Sequence, residues 1–421
     1  RLLRNRPFVI YWLGGVVSNI GTWLQNVTAS VVVLQLTHSP LMVGVLNLAT
    51  FAPIFAFSMV GGAVSDRFDR RHVIVWTQLF SLAVAIAITV LSALGQLGTW
   101  SLITLAALLG CSYSLAKPAF SALLPSLVER KEVARATALN TLQFNLGQVL
   151  GSAMSPLLLT VGSATTAFAV NSVSFVGPIV AMLLLWRTPL RETGGRTALR
   201  GSSRAGIALV RRTPALLSLL VAVALSNAAV EGLRTLAPDL ASTGFHVSSN
   251  AAGLLVTSYS IGATVGLVLF GQISRRLRPG LVLTLAFVAQ AAGLLGVALS
   301  PALPAAVALS VPIGLGFATN IPILSAGLQV LSPEDFRGRV MSMFSIFHLG
   351  LRPIFSLTAG GLASLIDVRW VLAIFVVFPA VAMTVTSRSG RALSEAHRGP
   401  DVREPVTSPG AAPSTAEQGA S

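Results

Sequence analysis

The sequence predicts an all-α membrane protein of about twelve transmembrane helices, arranged as two similar six-helix bundles. Three observations predict this fold: a low content of charged residues, a regular succession of long apolar segments, and a motif that recurs in both halves. Of the 421 residues, 53% are hydrophobic and only 10% are charged, whereas a soluble domain carries about 25% charged residues. A chain so poor in charge cannot cover a surface that faces water, so its apolar surface must face lipid.

The net charge of +15 comes from basic residues that stand in short clusters between the apolar segments. That distribution is typical of cytoplasmic loops that face anionic headgroups, and it argues against nucleic-acid binding. The single cysteine, Cys111, lies inside an apolar segment, so neither an intrachain disulfide nor a cysteine-based metal site is expected. The first apolar segment is too long for a cleavable signal sequence and is followed by many more.

Apolar segments long enough to cross a bilayer, which takes about 20 helical residues, recur along the whole chain. In the first half they lie near residues 8–34, 41–64, 73–94, 100–125, 134–160 and 165–186. In the second half they lie near residues 214–240, 249–273, 280–299, 303–331, 340–365 and 369–387. The fourth, fifth and tenth segments contain prolines, which are tolerated where neighbouring helices satisfy the freed carbonyls: Pro118, Pro156, Pro312 and Pro322.

These segments divide the chain into four parts. Residues 1–186 are predicted to form an N-terminal six-helix bundle and residues 214–387 a C-terminal one. The polar, Gly- and Arg-rich residues 187–213 between them are predicted to be a cytoplasmic loop. The tail, residues 388–421, is rich in Pro, Ser, Ala and Gly and is predicted to be disordered.

The arginine distribution predicts the orientation. Nearly all of the 29 basic residues fall on the side where the chain starts, and only Arg369 falls on the other side. Lys117, Arg234 and Arg352 fall inside the segments. By the positive-inside rule, the chain is expected in the inner membrane of a bacterial cell, with both termini in the cytoplasm.

A motif recurs at corresponding positions of the two halves. The sequence GAVSDRFDRR runs from Gly62 to Arg71, and GQISRRLRPG runs from Gly271 to Gly280. Each stands between the second and third segments of its half. A six-plus-six repeat is typical of secondary transporters that hold substrate near the midplane; the alternative is chance similarity between two basic loops.

The stretch GGAVSDRFDRR, Gly61 to Arg71, resembles the signature loop of the major facilitator superfamily. Three further stretches, Ser18 to Gly44, Ala138 to Asn140 and Arg337 to Phe344, are similar to one branch of it. That branch groups enterobactin-exporter-like permeases with transmembrane secretion effectors. The resemblance covers residues 1–387 and implies the major facilitator fold and export of a small molecule.

The signature loop is predicted to be a conformational latch. Its glycines would let spans two and eleven or their loops approach closely, and its charged side chains would pair with helix ends or acids. The alternative is a plain positive-inside loop. The residues of this predicted latch are Gly61, Gly62, Asp66, Arg67, Arg70 and Arg71.

Two departures from the family pattern bear on coupling. The proline-containing stretch of span five, Gly147 to Pro156, matches the drug-exporter motif only loosely. Many members of the branch carry an acid after Ile-Gly in span one. Here Ile20-Gly21 is followed by Thr22 and Trp23, so a proton-carrying acid is absent from that place.

Charged groups inside a bilayer are costly and are functional candidates by default. Glu231 is the carboxylate that the sequence places clearly within a span, and it is a proton-coupling candidate; the alternative is a static ion pair with Arg234. His348 is the second candidate, or else a packing histidine. Arg352 could attract an anionic substrate or pair with Glu231, and Lys117 could line the cavity or snorkel.

Neutral polar residues cluster in spans one and five, where they could bind substrate in a central cavity or join helices to one another. Together with the three basic residues inside spans, they complete the predicted substrate cavity: Asn19, Gln25, Asn26, Lys117, Gln143, Asn145, Arg234 and Arg352. Trp23, Phe144, Tyr259 and Phe347 could line an apolar part of it.

These features favour a secondary active transporter that exports small amphipathic molecules by proton exchange and alternating access, as an antiporter. One alternative is an uptake or facilitative carrier without proton coupling, and another is a membrane sensor that transports nothing. No catalytic cluster at nucleophile or metal spacing is found, so an enzyme is not expected. The expected partners are a small-molecule substrate, protons and membrane lipids, with no nucleic acid, cofactor or metal, and the protein is expected to be a monomer.

Overall fold

The computed structural model describes residues 2–189, 203–273 and 277–397, and within these ranges the chain is helical with no strands. In the first half, the helices are α1 (Arg6–Thr37), α2 (Pro40–Arg67), α3 (Arg70–Ala93), α4 (Thr99–Ser126), α5 (Val133–Val161), α6 (Ala164–Ser174) and α7 (Val176–Leu184). Helices α6 and α7 together form the sixth predicted span. Asn5 caps the start of α1, since its side chain accepts from the backbone N–H of Phe8.

The second half begins with a short helix, α8 (Ser203–Arg212), inside the region predicted as a loop. Nine further segments follow, two of them π-helical: α9 (Pro214–Asp239), a π segment (Leu240–Gly244), α10 (Ala252–Ile273), α11 (Pro279–Leu299), α12 (Leu303–Leu331), α13 (Arg337–Ser345), a π segment (Ile346–Gly350), α14 (Arg352–Ala363) and α15 (Val368–Phe375). The last helix, α16 (Val377–His397), runs beyond the span end predicted at residue 387. Residues 190–202, 274–276 and 398–421 lie outside the described residues, and with them parts of the predicted central loop, the second copy of the motif and most of the predicted tail.

The predicted membrane protein is confirmed. In the described residues, ten helical segments are long and apolar enough to cross a membrane. Helix α1 is not among them, although it is 32 residues long. It carries polar residues such as Asn19, Gln25 and Asn26 along its length.

The two halves meet at one end of the bundle, where α1 ends and α2 begins. The loops that carry most of the arginines lie at the far end of the bundle, which we call the arginine-rich end. The end where the halves meet is called the opposite end. At the opposite end α2 packs against α14: the Gly360 Cα lies so close to α2 that an added Cβ would be 2.4 Å from the Pro40 carbonyl oxygen. Small residues that let two helix backbones approach are typical of membrane helix interfaces.

Hydrogen bonds also join the halves on this side. Gln35 Nε2 donates to Ser249 Oγ (3.1 Å) and to Asn250 Oδ1 (3.0 Å), and the hydroxyls of Ser152 and Thr257 are 3.0 Å apart. Towards the arginine-rich end, by contrast, polar side chains of α5 and α13 are exposed: Thr137, Thr141, Ser342 and Ser345. The halves are therefore joined at the opposite end, whereas polar side chains of both halves are exposed towards the arginine-rich end.

Candidate functional site

A cavity that is partly open to solvent lies between the halves, and about 440 Å³ of empty space, open solvent included, falls within its bounds. Its walls come from α1, α2, α9, α10 and α14, so both halves contribute. Most of its surface is apolar, and its polar lining gathers on few side chains: Asn26, Ser30, Asn47, Glu231, Arg234 and Arg352. A concave, mainly apolar site with few converging polar groups is what small-molecule sites share.

The charged cluster of this cavity consists of Glu231, Arg234 and Arg352. The Glu231 side chain is only 2% exposed, and its Oε2 accepts a hydrogen bond from Arg352 Nε at 2.9 Å. The same oxygen lies 3.8 Å from Arg234 Nη1. Arg234 is three residues further along α9 and therefore on the same helix face, whereas Arg352 comes from the start of α14. With the carboxylate ionised, the cluster carries a surplus of one positive charge.

Aromatic rings from both halves hold the two guanidinium groups. Arg234 lies between the Trp23 ring of α1 and the Tyr259 ring of α10, with centroids 5.0 Å and 4.9 Å from its Cζ. Arg352 lies over the Phe51 ring of α2 at 4.6 Å. Desolvated cation–π contacts are worth about 2 kcal/mol, so these pairs help to join the halves. Arg234 Nε is buried without a hydrogen-bond partner.

Lys117 extends this arrangement along the first half. It is exposed, and its Nζ lies 5.6 Å from the Tyr113 ring centroid and 6.0 Å from that of Phe144. Phe144 meets Trp23 edge-on at 5.7 Å. Two rings in contact, Phe144 and Trp23, therefore connect Lys117 to Arg234.

His348 lies in the π segment that precedes Arg352. Its Nδ1 is 3.0 Å from Asn227 Nδ2, and its ring stacks with Phe344 at 5.4 Å and Phe317 at 6.1 Å. This is the environment of a packed, hydrogen-bonded histidine. Short π segments within helices often mark functional sites. His348 therefore stays a proton-coupling candidate, because its π segment leads directly to Arg352 of the charged cluster.

The predicted neutral residues separate into two groups. Asn26 lines the cavity. Gln25 is buried and its Oε1 accepts from Asn171 Nδ2 of α6, while Gln143 of α5 packs on Gly15 and Asn19 packs on Gly147. These three join helices within the first half, which is the alternative that the sequence left open. Asn145 is half-buried.

The signature loop binds helix ends of its own half. Arg70 Nη1 donates to the Ala122 carbonyl at 2.8 Å. Arg71 is buried, and its guanidinium donates to the carbonyls of Leu185 (2.8 Å), Trp186 and Thr188 (2.6 Å). A cation at a helix C-terminus satisfies carbonyls that have no helical partner, so Arg71 ties the start of α3 to the end of α7.

Other residues of the predicted latch are placed differently. Arg67 is exposed, and Gly62 and the Asp66 side chain lie outside what the structure describes. The expectation that Gly61 brings spans two and eleven together is wrong. Its Cα faces α4, where an added Cβ would be 2.6 Å from the Ser114 carbonyl oxygen. The glycine of α2 that meets α14 is Gly44, because the apposition occurs at the opposite end.

One buried carboxylate was overlooked in the sequence. Asp239 lies inside the predicted span 214–240, is 5% exposed, and its Oδ1 accepts from Thr243 Oγ1 at 3.2 Å. Among the described residues, no basic side chain forms an ion pair with it. A carboxylate within a predicted span is a sufficient signal for a buried acid. Asp239 stands one residue before the end of the span 214–240, however, where a charged residue is also expected at the membrane surface. Groups of residues that could hold a metal are absent from the described part of the chain.

The chain matches the family of transmembrane secretion effectors over residues 2–398. It is 27% identical over 372 residues to the enterobactin exporter EntS of Salmonella choleraesuis, which covers 86% of this chain and 87% of that protein. It is 26% identical over 375 residues to the enterobactin exporter EntS of an Escherichia coli strain, with the same coverage.

Solved structures of transporters share the fold at low identity. A bacterial homologue of the human lysosomal transporter Spinster, in an inward-facing and unoccupied conformation, matches with a TM-score of 0.67 at 16% identity, covering 94% of this chain and 98% of that one. The nucleoside transporter NupG matches with a TM-score of 0.73 at 11% identity, covering 92% and 100%. A POT family transporter matches with a TM-score of 0.75 at 11% identity, covering 92% and 97%.

Proposed function

Because the chain belongs to the transmembrane secretion effector family of the major facilitator superfamily, we propose that it exports a small amphipathic molecule by alternating access, in exchange for protons. It is a membrane transporter related to an enterobactin exporter and not an enzyme. The single observation that carries the finer proposal is the charged cluster, because it lines a cavity that both halves build.

Alternating access needs a site that each side of the membrane reaches in turn. The cavity of this conformation reaches from the charged cluster towards the opposite end, since Ala237, Pro238 and Ala252 line it. The contacts beyond it are neutral hydrogen bonds and close helix packing, which rigid-body movement of the halves can break and remake. We place the arginine-rich end and both termini in the cytoplasm of a bacterial cell, because basic loops favour that side. The protein acts as a monomer among membrane lipids.

Glu231 is the proposed proton-linked group. A proton on its carboxyl would remove one negative charge from a cluster of two guanidinium groups and weaken the bond to Arg352. Because Glu231 and Arg352 stand on different helices, α9 and α14, that change alters how the helices pack around the cavity. His348 is the second candidate, since it immediately precedes the Arg352 turn.

The proposed substrates are siderophore-like products, antibiotics or drugs. The mainly apolar cavity lining and the rings that stand beside cations suit molecules that have both flat apolar and polar parts. The two relatives described above are named enterobactin exporters, which supports a siderophore-like product.

An uncoupled carrier is the second candidate, and one observation favours it. Glu231 Oε2 is held by one arginine and approached by a second, an arrangement that also fits a permanent ion pair. Uptake by such a carrier would leave transport independent of a proton gradient.

Transport into inside-out membrane vesicles tests the proposal. The probes are enterobactin and a panel of amphipathic dyes and antibiotics, each offered with and without a pH gradient, interior acid. We expect at least one probe to accumulate only when the gradient is present. Equal accumulation without the gradient would favour the uncoupled carrier, and no movement of any probe would favour a sensor.

A further inference from the structure

Four polar residues stand four positions apart on α9 and the π segment that continues it: Glu231, Thr235, Asp239 and Thr243. We propose that these residues, the α9 polar row, carry protons between the opposite end and Glu231, and that Asn47 of the other half closes this route in the present conformation. The inference rests on the proposed role of Glu231. It adds a second proton-binding carboxylate, Asp239, and a residue that controls access to it.

The spacing of the α9 polar row suits proton transfer. Residues four apart on a helix are neighbours on one face, about 6 Å apart along the axis, a distance that one bridging water spans. Glu231, Thr235 and Asp239 are buried at 2%, 1% and 5% exposure. Thr243 is exposed at the opposite end and donates from Oγ1 to Asp239 Oδ1. The row therefore runs from the surface to the charged cluster.

Each member can take part with bridging water as the only other proton carrier. A carboxylate of Asp239 binds a proton from the opposite end and releases it again. The Thr235 hydroxyl accepts a proton on its oxygen while it gives up its own. The proton then binds the carboxylate of Glu231, so the chain of transfers leaves Thr235 and Asp239 as they were.

Thr235 is held away from this role in the present conformation. Its Oγ1 accepts from Asn47 Nδ2 at 3.3 Å and is 2.7 Å from Ser356 Oγ of α14. A relay needs the hydroxyl proton and one acceptor site to be free together. With Asn47 on one acceptor site, the bond to Ser356 takes either the proton or the second site, so Thr235 cannot relay along α9. Without Asn47, a Thr235 hydroxyl that accepts from Ser356 keeps both its proton and one acceptor site. Asn47 stands on α2, in the first half, and would leave when the halves separate at the opposite end. The route is thus shut while the halves are joined at the opposite end, as exchange without leakage requires.

The charges around Asp239 come mainly from α15. Asp367 at the start of α15 interacts with it electrostatically and accepts from the Arg369 backbone N–H at 2.8 Å. The Arg369 guanidinium donates to the carbonyls of Gly244 and Ser300, both at 2.6 Å. On α9 itself, Glu231 and Arg234 are the nearest charged groups in sequence. Asp239 is thus a buried acid, and buried acids inside a membrane mark proton relays.

Proton leakage in the absence of any substrate tests the inference. The wild type and its variants are reconstituted into liposomes that contain a pH-sensitive dye, and a pH step is applied across the membrane with potassium and valinomycin present. We expect Asn47→Ala to raise the proton leak several-fold, because Thr235 is released. Adding Asp239→Asn should return the leak to the wild-type value, whereas adding Asp239→Glu should preserve it.

Asp367→Asn in the Asn47→Ala background is the matched control, because it removes a nearby carboxylate that is exposed and outside the row. The leak should stay high there. A parallel series on Asn47→Val keeps the test open if Asn47→Ala does not fold. No leak in either series, or a leak that survives Asp239→Asn, would overturn the inference. The proposed function fails separately, by transport that ignores a pH gradient in the wild type.

Discussion

At the scale of single residues, the charged cluster shows why so few charges suffice in a membrane. An unpaired ion in the bilayer core costs several kcal/mol, so each charge needs a partner from another helix. Glu231 has Arg352, which lies 121 residues away, while Arg234 relies on two rings and a longer contact with the same oxygen. The two arginines therefore differ: one is hydrogen-bonded to the carboxylate, and the other keeps donors facing the cavity.

Replacing Arg352 with Gln should destabilise the protein strongly, because Glu231 would keep a buried carboxylate without its hydrogen-bonded partner. Removing one member of a buried pair typically costs about 3–5 kcal/mol. The double variant Glu231→Gln, Arg352→Gln should recover a large part of that loss. Thermal unfolding of the purified proteins in detergent measures both. A double variant as unstable as the single one would show that the pair does not control stability.

The sequence identified the charged candidates and left open which of them pair. Rarity alone singled out Glu231, Arg234, His348 and Arg352, because any charge in an apolar segment stands out. The contact between α9 and α14 could not be predicted from the sequence, because hydropathy shows where the spans are but not which of them are neighbours. For the same reason Gln25 and Asn26, adjacent in sequence, could not be given different roles. In the structure Gln25 binds Asn171 of α6, and Asn26 lines the cavity.

At the scale of helices, glycines and helix irregularities decide where elements meet and bend. Gly44 and Gly360 bring α2 and α14 together at the opposite end, and a π segment separates α13 from α14 just before Arg352. Span lengths were predictable because the bilayer fixes them. The broken sixth, eleventh and twelfth spans and the short helix α8 were not, since local breaks depend on packing that the sequence pattern does not reveal.

Adjacent glycines of α14 provide a matched pair of variants. A Cβ at Gly360 would lie 2.4 Å from the Pro40 carbonyl oxygen, whereas a Cβ at Gly361 would lie 3.8 Å from its nearest neighbour. Gly360→Ala should therefore open the opposite end, and Gly361→Ala should not. The reporter is Asn26→Cys in a Cys111→Ser background. A membrane-impermeant maleimide, added from the side of the membrane at the opposite end, should label this cysteine faster when Gly360→Ala is added, but not when Gly361→Ala is added. Equal reactivity in both variants would contradict the proposed closure at α2 and α14.

At the scale of the whole molecule, the two bundles form a container that is closed at one end by neutral contacts and lined by a small number of charges. Its stability in lipid comes from long apolar helices. Its selectivity comes from the charged and polar side chains that line the cavity between the halves. The signature loop fits this division, because Arg70 and Arg71 bind carbonyls of their own bundle. They keep the first half rigid, which a movement of one half against the other requires.

The central claim is that Glu231 links proton movement to substrate movement, and Glu231→Gln tests it most directly, because Gln keeps the size of Glu and stays neutral. The measurement is enterobactin transport into inside-out vesicles, driven by a pH gradient in one assay and by exchange against unlabelled enterobactin in another. We expect the variant to lose gradient-driven accumulation and to keep exchange, which needs no net proton movement. Accumulation by the variant equal to that of the wild type would contradict the claim and leave Glu231 as one half of a structural ion pair.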